Sequence, residues 1–449
     1  MTRTQPGKPG STGLGSWEQQ PGKPGSTGLG VRHRVVTGRF HCVYMGAVKV
    51  ERPCKKSARH PPPETDVTSR RHFLTLAAAS AALAAASPLL ARASPAPGSV
   101  LPTRGTPRDS TALATNAPRP GGRYRPLTRL GLGGAPLGGS LAPTTDEAAH
   151  ATMAAAWAAG VRTFDTSPWY GLGLSERRMG RELHNHPATD YTLSSKTGRL
   201  LTATAGPLQK TSWHDPAPFR YAYDYSASGT RRSVEDSLNR LGVSQLDIVL
   251  IHDLSPENKD LGMPWEQRFA EAAKGAMPEL TRMREEGLIK AWGFGVNRPQ
   301  PALRAVAEAD PDIMLLACQY SLLDHEATLH DTFPKLAEKG VSVMVGSPLL
   351  AGYLTGRERY LYGSPIPSWA PAKRAKIAAI CERHGIDLRT AALQFADAPE
   401  VVSSIIPGAR TAEQVQANVQ SMGIAIPADF WAELKREKLI AADAPVPKG

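Results

Sequence analysis

LDIVLIHD, residues 246–253, decides how this chain is read. An apolar run without polar alternation fits a strand buried on both faces, as in a parallel sheet covered by helices. It is preceded by a helix-compatible segment, 230–241, that closes at Gly242, and it ends in two polar residues, His252 and Asp253. The same order recurs along the second two-thirds of the chain. Apolar runs occur at 130–137, 161–165, 191–196, 246–252, 289–296, 313–319, 341–347 and 402–407. Helix-compatible segments lie between them at 146–159, 230–241, 265–286, 329–339, 371–384 and 388–396, and another, 411–419, follows the last run. The first opens with TTDE, a cap followed by acidic first-turn residues, and closes at Gly160. Eight strand–helix units in about 310 residues predict an α/β fold, a closed (β/α)8 TIM barrel rather than an open doubly wound sheet.

Such barrels carry their reacting groups at the C-terminal ends of the strands. Asp165, Lys196 and His252 are read as the last residues of strands two, three and four, and Tyr170 follows strand two in FDTSPWYG. A phenol titrates near pH 10, too high for easy proton transfer at neutrality. A neighbouring ammonium lowers that value. Lys196 is expected to supply the charge, Asp165 to hold it against Tyr170, and His252 to donate a hydrogen bond to a substrate oxygen. Tyr170 then exchanges the proton while a nicotinamide exchanges a hydride at the same carbon. Singly, each residue has an ordinary structural reading: ion pair, cap, loop histidine or turn aromatic.

The glycine-rich LGLGGAPLGG, 130–139, fails as a dinucleotide fingerprint, because Pro136 stands where the third glycine is needed and no helix starts there. It reads as strand one and a turn in the pocket wall. Cofactor signals lie in the second half. Asn297 ends strand five. Gln319 is placed to bond a nicotinamide carboxamide and Tyr320 to stack on its ring. The loops after strands seven and eight, with Gly408 and Arg410, suit phosphate, and Gln414 and Asn418 share one helix face and can bracket an adenine.

The formal charge of +12 invites a nucleic-acid reading, but residues 1–125 hold 19 Lys/Arg against 5 Asp/Glu, while the remainder holds 34 against 36. The excess belongs to the leader, so no nucleic acid is expected on the barrel. QPGKPGSTGLG occurs twice, from Gln5 and from Gln20, and residues 1–67 read as a disordered leader or an overlong start. Residues 68–93 pair Arg70 and Arg71 ahead of an Ala/Leu stretch ending Ala91-Arg92-Ala93. This resembles a twin-arginine export signal, which implies the periplasm and the export machinery; the alternative is a cytoplasmic enzyme with an N-terminal extension. Serines and a proline interrupt the stretch, so no stable membrane span is expected. Residues 94–123 read as linker, 124–441 as the barrel and 442–449 as a tail. The four cysteines show no metal spacing, and no metal is expected.

Taken together, FDTSPWYG, SSK, IHD, GFGVN, QYSLL and IPGAR resemble the aldo-keto reductase superfamily over residues 124–441. The resemblance implies Asp165, Tyr170, Lys196 and His252 as a catalytic tetrad, and Asn297, Gln319 and Tyr320 at the nicotinamide of NAD(P). It implies Ser347, Leu349, Gly352, Arg410, Gln414 and Asn418 along the rest of the dinucleotide. SPWYGLGLSERRMG and the segment leading to His252 are similar to a narrower group that includes D-threo-aldose 1-dehydrogenases and pyridoxal 4-dehydrogenases. That implies oxidation of a cyclic hemiacetal to a lactone by a monomer, with Trp169 and Trp213 as candidate sugar-stacking rings. The alternatives are a general NADPH-dependent aldehyde or ketone reductase and a redox-sensing subunit that binds cofactor with little turnover.

Overall fold

The structure, a computed structural model, describes residues 104–108, 112–117 and 123–447. The repeats, the paired arginines, the signal-like segment, Cys42 and Cys54 lie outside these residues. Eight parallel strands follow one another around the sheet: β1 (Leu132–Gly133), β2 (Thr163–Asp165), β3 (Thr192–Thr197), β4 (Leu246–His252), β5 (Ile289–Val296), β6 (Ile313–Ala317), β7 (Ser342–Gly346) and β8 (Val402–Ile406). The seam between β8 and β1 is closed by backbone bonds from Gly131 N to Ile405 O (2.9 Å) and from Gly133 N to Pro407 O (3.1 Å). Arg129 pins this seam, its Nε donating to Asp397 Oδ2 and its Nη1 to Val402 O. The expected (β/α)8 barrel is therefore present.

Every residue of β4 is buried, as its uninterrupted apolar run requires. Ile248, Leu250, Ala291, Ile313, Leu315, Ala317, Met344 and Ile406 fill the barrel interior, while the larger core lies between the sheet and the outer helices. The glycine-rich first run yields a ladder of only two residues, because Pro136 opens a 3₁₀ turn, Pro136–Gly138, straight after it. α1 (Asp146–Ala158) starts at the expected cap, Thr145, whose side chain accepts from Ala148 N.

Several helices depart from expectation. α2 (Leu174–Leu183) was not anticipated; it starts after Gly173 with no side-chain cap. α3 (Ala227–Leu241) begins three residues before the expected start, capped by Ser226. The segment 265–286 is two helices, α4 (Trp265–Lys274) and α5 (Ala276–Glu285). They part at Gly275, where a Cβ would lie 2.6 Å from the Tyr225 carbonyl oxygen. α6 (Pro299–Glu308) follows β5 unannounced, and 329–339 becomes a π-turn leading into the short α7 (Phe333–Glu338). α8 (Ala370–Arg383), α9 (Leu388–Asp397) and α10 (Ala412–Met422) stand where expected, and α11 (Ala428–Arg436) ends the barrel.

Two additions extend the barrel. A hairpin of Arg199–Ala203 and Phe219–Tyr223 is inserted between β3 and α3. Its loop is tied over the strand ends by His214 N to Gly139 O and Ala217 N to Gly171 O, both 3.0 Å. At the opposite end, part of the stretch read as linker lies on the barrel. Thr106–Pro107 pairs with Ile424–Ala425, and the Asn116 amide donates to Pro126 O and Ser403 O.

Candidate active site

The C-terminal ends of the strands open into a cavity of about 880 Å³. Asp165 ends β2, Lys196 is the penultimate residue of β3 rather than its last, and His252 ends β4. Neighbouring registers, Asp165 opposite Ser194 and His252 opposite Gly295, bring these side chains to one rim. Lys196 is 2% exposed and donates to both Asp165 oxygens at 2.8 Å and to Thr166 O at 2.7 Å. Ser194 Oγ adds a hydrogen bond to Asp165. Gly295 makes room for the lysine stem: a Cβ there would approach Lys196 Cε to 3.3 Å. The ammonium stands 4.7 Å from the centre of the Tyr170 ring, and that ring lies edge-on to His252 with 5.8 Å between centroids.

The electrostatics correct one expectation. Burial raises the Tyr170 phenol well above 10, and the Asp165 carboxylate adds to the rise. Lys196 does not bring it toward neutrality, because its three short bonds go to Asp165 and Thr166. Within that buried pair, desolvation pushes the lysine down and the carboxyl up, each opposed by its partner's charge. In this site Tyr170 is a protonated phenol, ready to act as an acid.

Burial also sets His252, pushing it down to about 3, opposed by Asp253 and reinforced by Lys196 and Arg199. The ring is neutral at working pH. Ser167 Oγ accepts from Trp169 N at 3.1 Å and lies 3.1 Å from His252 Nδ1, so its hydroxyl proton is free to point at that nitrogen. Arg199 Nη1 approaches the same nitrogen at 3.5 Å. Two donors on Nδ1 leave the ring proton on Nε2, the nitrogen that can donate to a substrate oxygen.

Sequence reasoning passed over Arg199 and Ser167 and left Asp253 without a role. Arg199, the first residue of the inserted hairpin and 5% exposed, bonds Asp253 Oδ2 at 2.8 Å. It lies between the rings of Trp169 (4.4 Å) and Tyr223 (4.6 Å). The rule that found Lys196, polar residues just after a buried run, also covers Arg199 in SSKTGR. Trp169 and Trp213 both line the cavity, edge to face with centroids 5.7 Å apart.

Of the expected cofactor residues, Asn297, Ser347, Leu349, Gly352, Gly408, Arg410, Gln414 and Asn418 line the cavity. Gln319 and Tyr320 do not. Tyr320 is buried in the outer core, stacked on Phe395 at 5.4 Å and tilted against Phe333, so it cannot stack on a ring in the cavity. Gln319 Nε2 donates to Val296 O, and its Oε1 is buried without a partner among the described residues. Cys318, at φ 65°, turns the chain out of the strand before both residues. Tyr362 lines this side of the cavity instead, its hydroxyl 3.0 Å from Ser347 Oγ.

Gln414 Oε1 accepts from Arg410 N at 2.8 Å, fixing the turn into α10. Arg410 Nη2 donates to Ser140 O at 2.6 Å, whereas its Nε is buried without a partner among the described residues. Burial and the nearby guanidiniums of Arg359 and Arg357 lower the Arg410 pKa. All three arginines line the cavity, and none pairs with a carboxylate among the described residues; the intervening Glu358 is bound to Arg374. That end of the cavity is built for an anion. Among the described residues no group of three or more His, Cys, Asp or Glu is placed to hold a metal ion, and no helix is long and apolar enough to cross a membrane.

Comparison with known proteins agrees with this arrangement. The sequence model of the Aldo/keto reductase family matches residues 129–437. D-threo-aldose 1-dehydrogenase of a Pseudomonas species is 35% identical over 324 residues, 70% of this chain and 95% of that protein. Pyridoxal 4-dehydrogenase of Microbacterium luteolum is 35% identical over 330 residues, again 70% and 95%. The holo form of an aldo-keto reductase from Bacillus halodurans superposes with a TM-score of 0.53 at 23% identity, covering 72% of this chain and 94% of that one. The chain belongs to the aldo/keto reductase family and is an NAD(P)-dependent oxidoreductase.

Proposed function

We propose that the enzyme oxidises the anomeric carbon of an aldose or similar hemiacetal to a lactone, with Tyr170 as the proton-exchanging group. The observation that carries this reading is the meeting of three features on one rim. The buried Lys196–Asp165 pair lies beside the Tyr170 ring, a neutral His252 offers Nε2–H, and two tryptophans wall the space in front of them. Relatives named for aldose and pyridoxal oxidation support the substrate class.

The dinucleotide fits the second half of the cavity. Arg357, Arg359 and Arg410 would meet its phosphates, and Arg410 Nε, buried without a partner, is the donor that such a group satisfies. Tyr362, close enough to Tyr170 to act on its phenol, and Asn297, which follows β5, would face the nicotinamide, and Gln414 and Asn418 of α10 the adenine. A bound nicotinamide would supply the hydride chemistry at the reacting carbon and, in its oxidised form, a positive charge. His252 Nε2–H holds the substrate oxygen. In reduction Tyr170 donates its phenol proton to that oxygen; in oxidation it must first release that proton to solvent, and the phenolate then accepts the proton of the substrate hydroxyl. The Lys196–Asp165 pair is locked by its own hydrogen bonds and offers fixed dipoles to the charge that develops on Tyr170.

The test is incubation of the purified chain with L-fucose and NAD⁺ or NADP⁺, with the product identified by NMR. Lactone formation is expected. Reduction of an aromatic aldehyde with NADPH and no sugar oxidation would assign the chain to general carbonyl reduction. Tight dinucleotide binding with negligible turnover of either substrate would make it a sensor.

A further inference from the structure

Asp253 lines the cavity beside the reacting rim, and the mechanism does not use it. Its backbone is in the left-handed region, φ 49°, an unfavourable conformation for a non-glycine residue that tends to persist where the surroundings impose it. Three contacts impose it here: Asp253 N donates to Gly295 O, Asn258 Nδ2 donates to Asp253 O, and Arg199 clamps the side chain. The clamp takes one oxygen only. Oδ2 accepts from Arg199 at 2.8 Å, whereas Oδ1 receives no hydrogen bond among the described residues. Oδ1 is the oxygen on the histidine side, 3.4 Å from His252 Nε2. Burial works to raise this carboxyl, but the Arg199 guanidinium bonded to Oδ2 and the Lys196 ammonium oppose it and hold the group as an anion, a pure acceptor.

We infer that Asp253 Oδ1 accepts a hydrogen bond from a hydroxyl on the carbon next to the reacting one, so the site selects substrates with vicinal oxygens. The inference rests on the reading that His252 holds the reacting oxygen. An imidazole N–H and a carboxylate oxygen 3.4 Å apart then form a donor–acceptor pair, a spacing that oxygens on adjacent carbons can span together. The reacting oxygen accepts from the donor and its neighbour donates to the acceptor. A substrate lacking the neighbouring hydroxyl would leave an ionised, partly desolvated oxygen unpaired, which is a strong basis for discrimination. Arg199 is a positioning residue in this scheme: held between Trp169 and Tyr223, it fixes which carboxylate oxygen stays open.

The experiment compares lactaldehyde with propanal in NAD(P)H-dependent reduction, and L-fucose with its analogue lacking the hydroxyl beside the anomeric carbon in oxidation. Wild type should favour the hydroxylated member by about tenfold or more in kcat/KM, the worth of a hydrogen bond to a charged group. Asp253→Ala should bring the ratio close to one, chiefly through loss on the hydroxylated substrate, and Asp253→Asn should restore part of it. Circular dichroism and dinucleotide binding check that both variants are folded. No preference in wild type, or equal losses on both members of a pair, would overturn the inference, because a role confined to supporting His252 moves both substrates together. If sugars are not oxidised but the aldehyde pair behaves as stated, the proposed sugar activity fails and the inference stands.

Discussion

The two halves of the barrel mouth are built on opposite plans. At the ends of β2–β4 nearly every charge is already paired inside the protein: Lys196 with Asp165 and Arg199 with Asp253, while burial keeps His252 neutral with Ser167 at its Nδ1. Around the loops after β7 and β8 the reverse holds. Three guanidiniums share one wall, none of them paired with a carboxylate among the described residues, since Glu358 between two of them is held by Arg374, and one arginine nitrogen is buried there without a described partner. There the backbone takes left-handed φ at Ser347, Leu350 and Ala351, residues with a Cβ. A site for proton transfer gains from fixed, mutually satisfied groups that need no rearrangement during reaction. A site for a polyanion gains from charges that only the ligand completes, and it loses stability while empty.

The largest expected effect falls on the paired half. Lys196→Met removes the cation beside Tyr170 and leaves Asp165 to be buried as a neutral acid. Turnover should drop by about 10³-fold, within the range of general acid–base contributions. Dinucleotide affinity, followed by tryptophan fluorescence, should stay within a few-fold. Arg410→Ala strikes the other half and should show the opposite split. The dissociation constant should rise about tenfold to a hundredfold, the worth of charge-assisted hydrogen bonds, with a much smaller change in turnover at saturating cofactor. If both substitutions change both quantities alike, the division of the mouth is wrong.

The smallest effect is a pH effect on stability. The His252 value is depressed from 6.5 to about 3, so the native state resists protonation while the unfolded chain does not. Its contribution is therefore fully present above pH 6.5 and is lost as pH falls from there toward 3. Between pH 7.5 and pH 5 the wild type should lose about 2 kcal/mol more than His252→Asn, measured by urea unfolding at the two pH values. Equal losses would mean that the ring is charged in the native protein and that the paired half is not neutral at its centre.

The barrel was legible because β4 to β8, five to eight residues long, are mainly apolar, and burial on both faces leaves that mark. β1 was overread, since glycine permits a strand without enforcing one and Pro136 stops the ladder. α2 went unseen because LSERRMGREL is polar around most of its surface and has no side-chain cap. The rim residues Asp165, Tyr170, Lys196 and His252 could be placed from strand ends alone, but the state of Tyr170 could not. Sequence supplies the neighbouring ammonium; only the structure shows that ammonium spent on Asp165 and Thr166. Tyr320 failed for a geometric reason. Strand alternation predicts facing only while the strand lasts, and the positive φ of Cys318 ends it two residues earlier.

The direct test of the account is Tyr170→Phe, which removes one oxygen and leaves the ring beside Lys196. Stopped-flow measurement of hydride transfer at saturating dinucleotide and sugar should show a rate at least about 10²-fold below wild type, with dinucleotide affinity preserved. A variant that transfers hydride within a few-fold of wild type would contradict the assignment of Tyr170 as the proton-exchanging group.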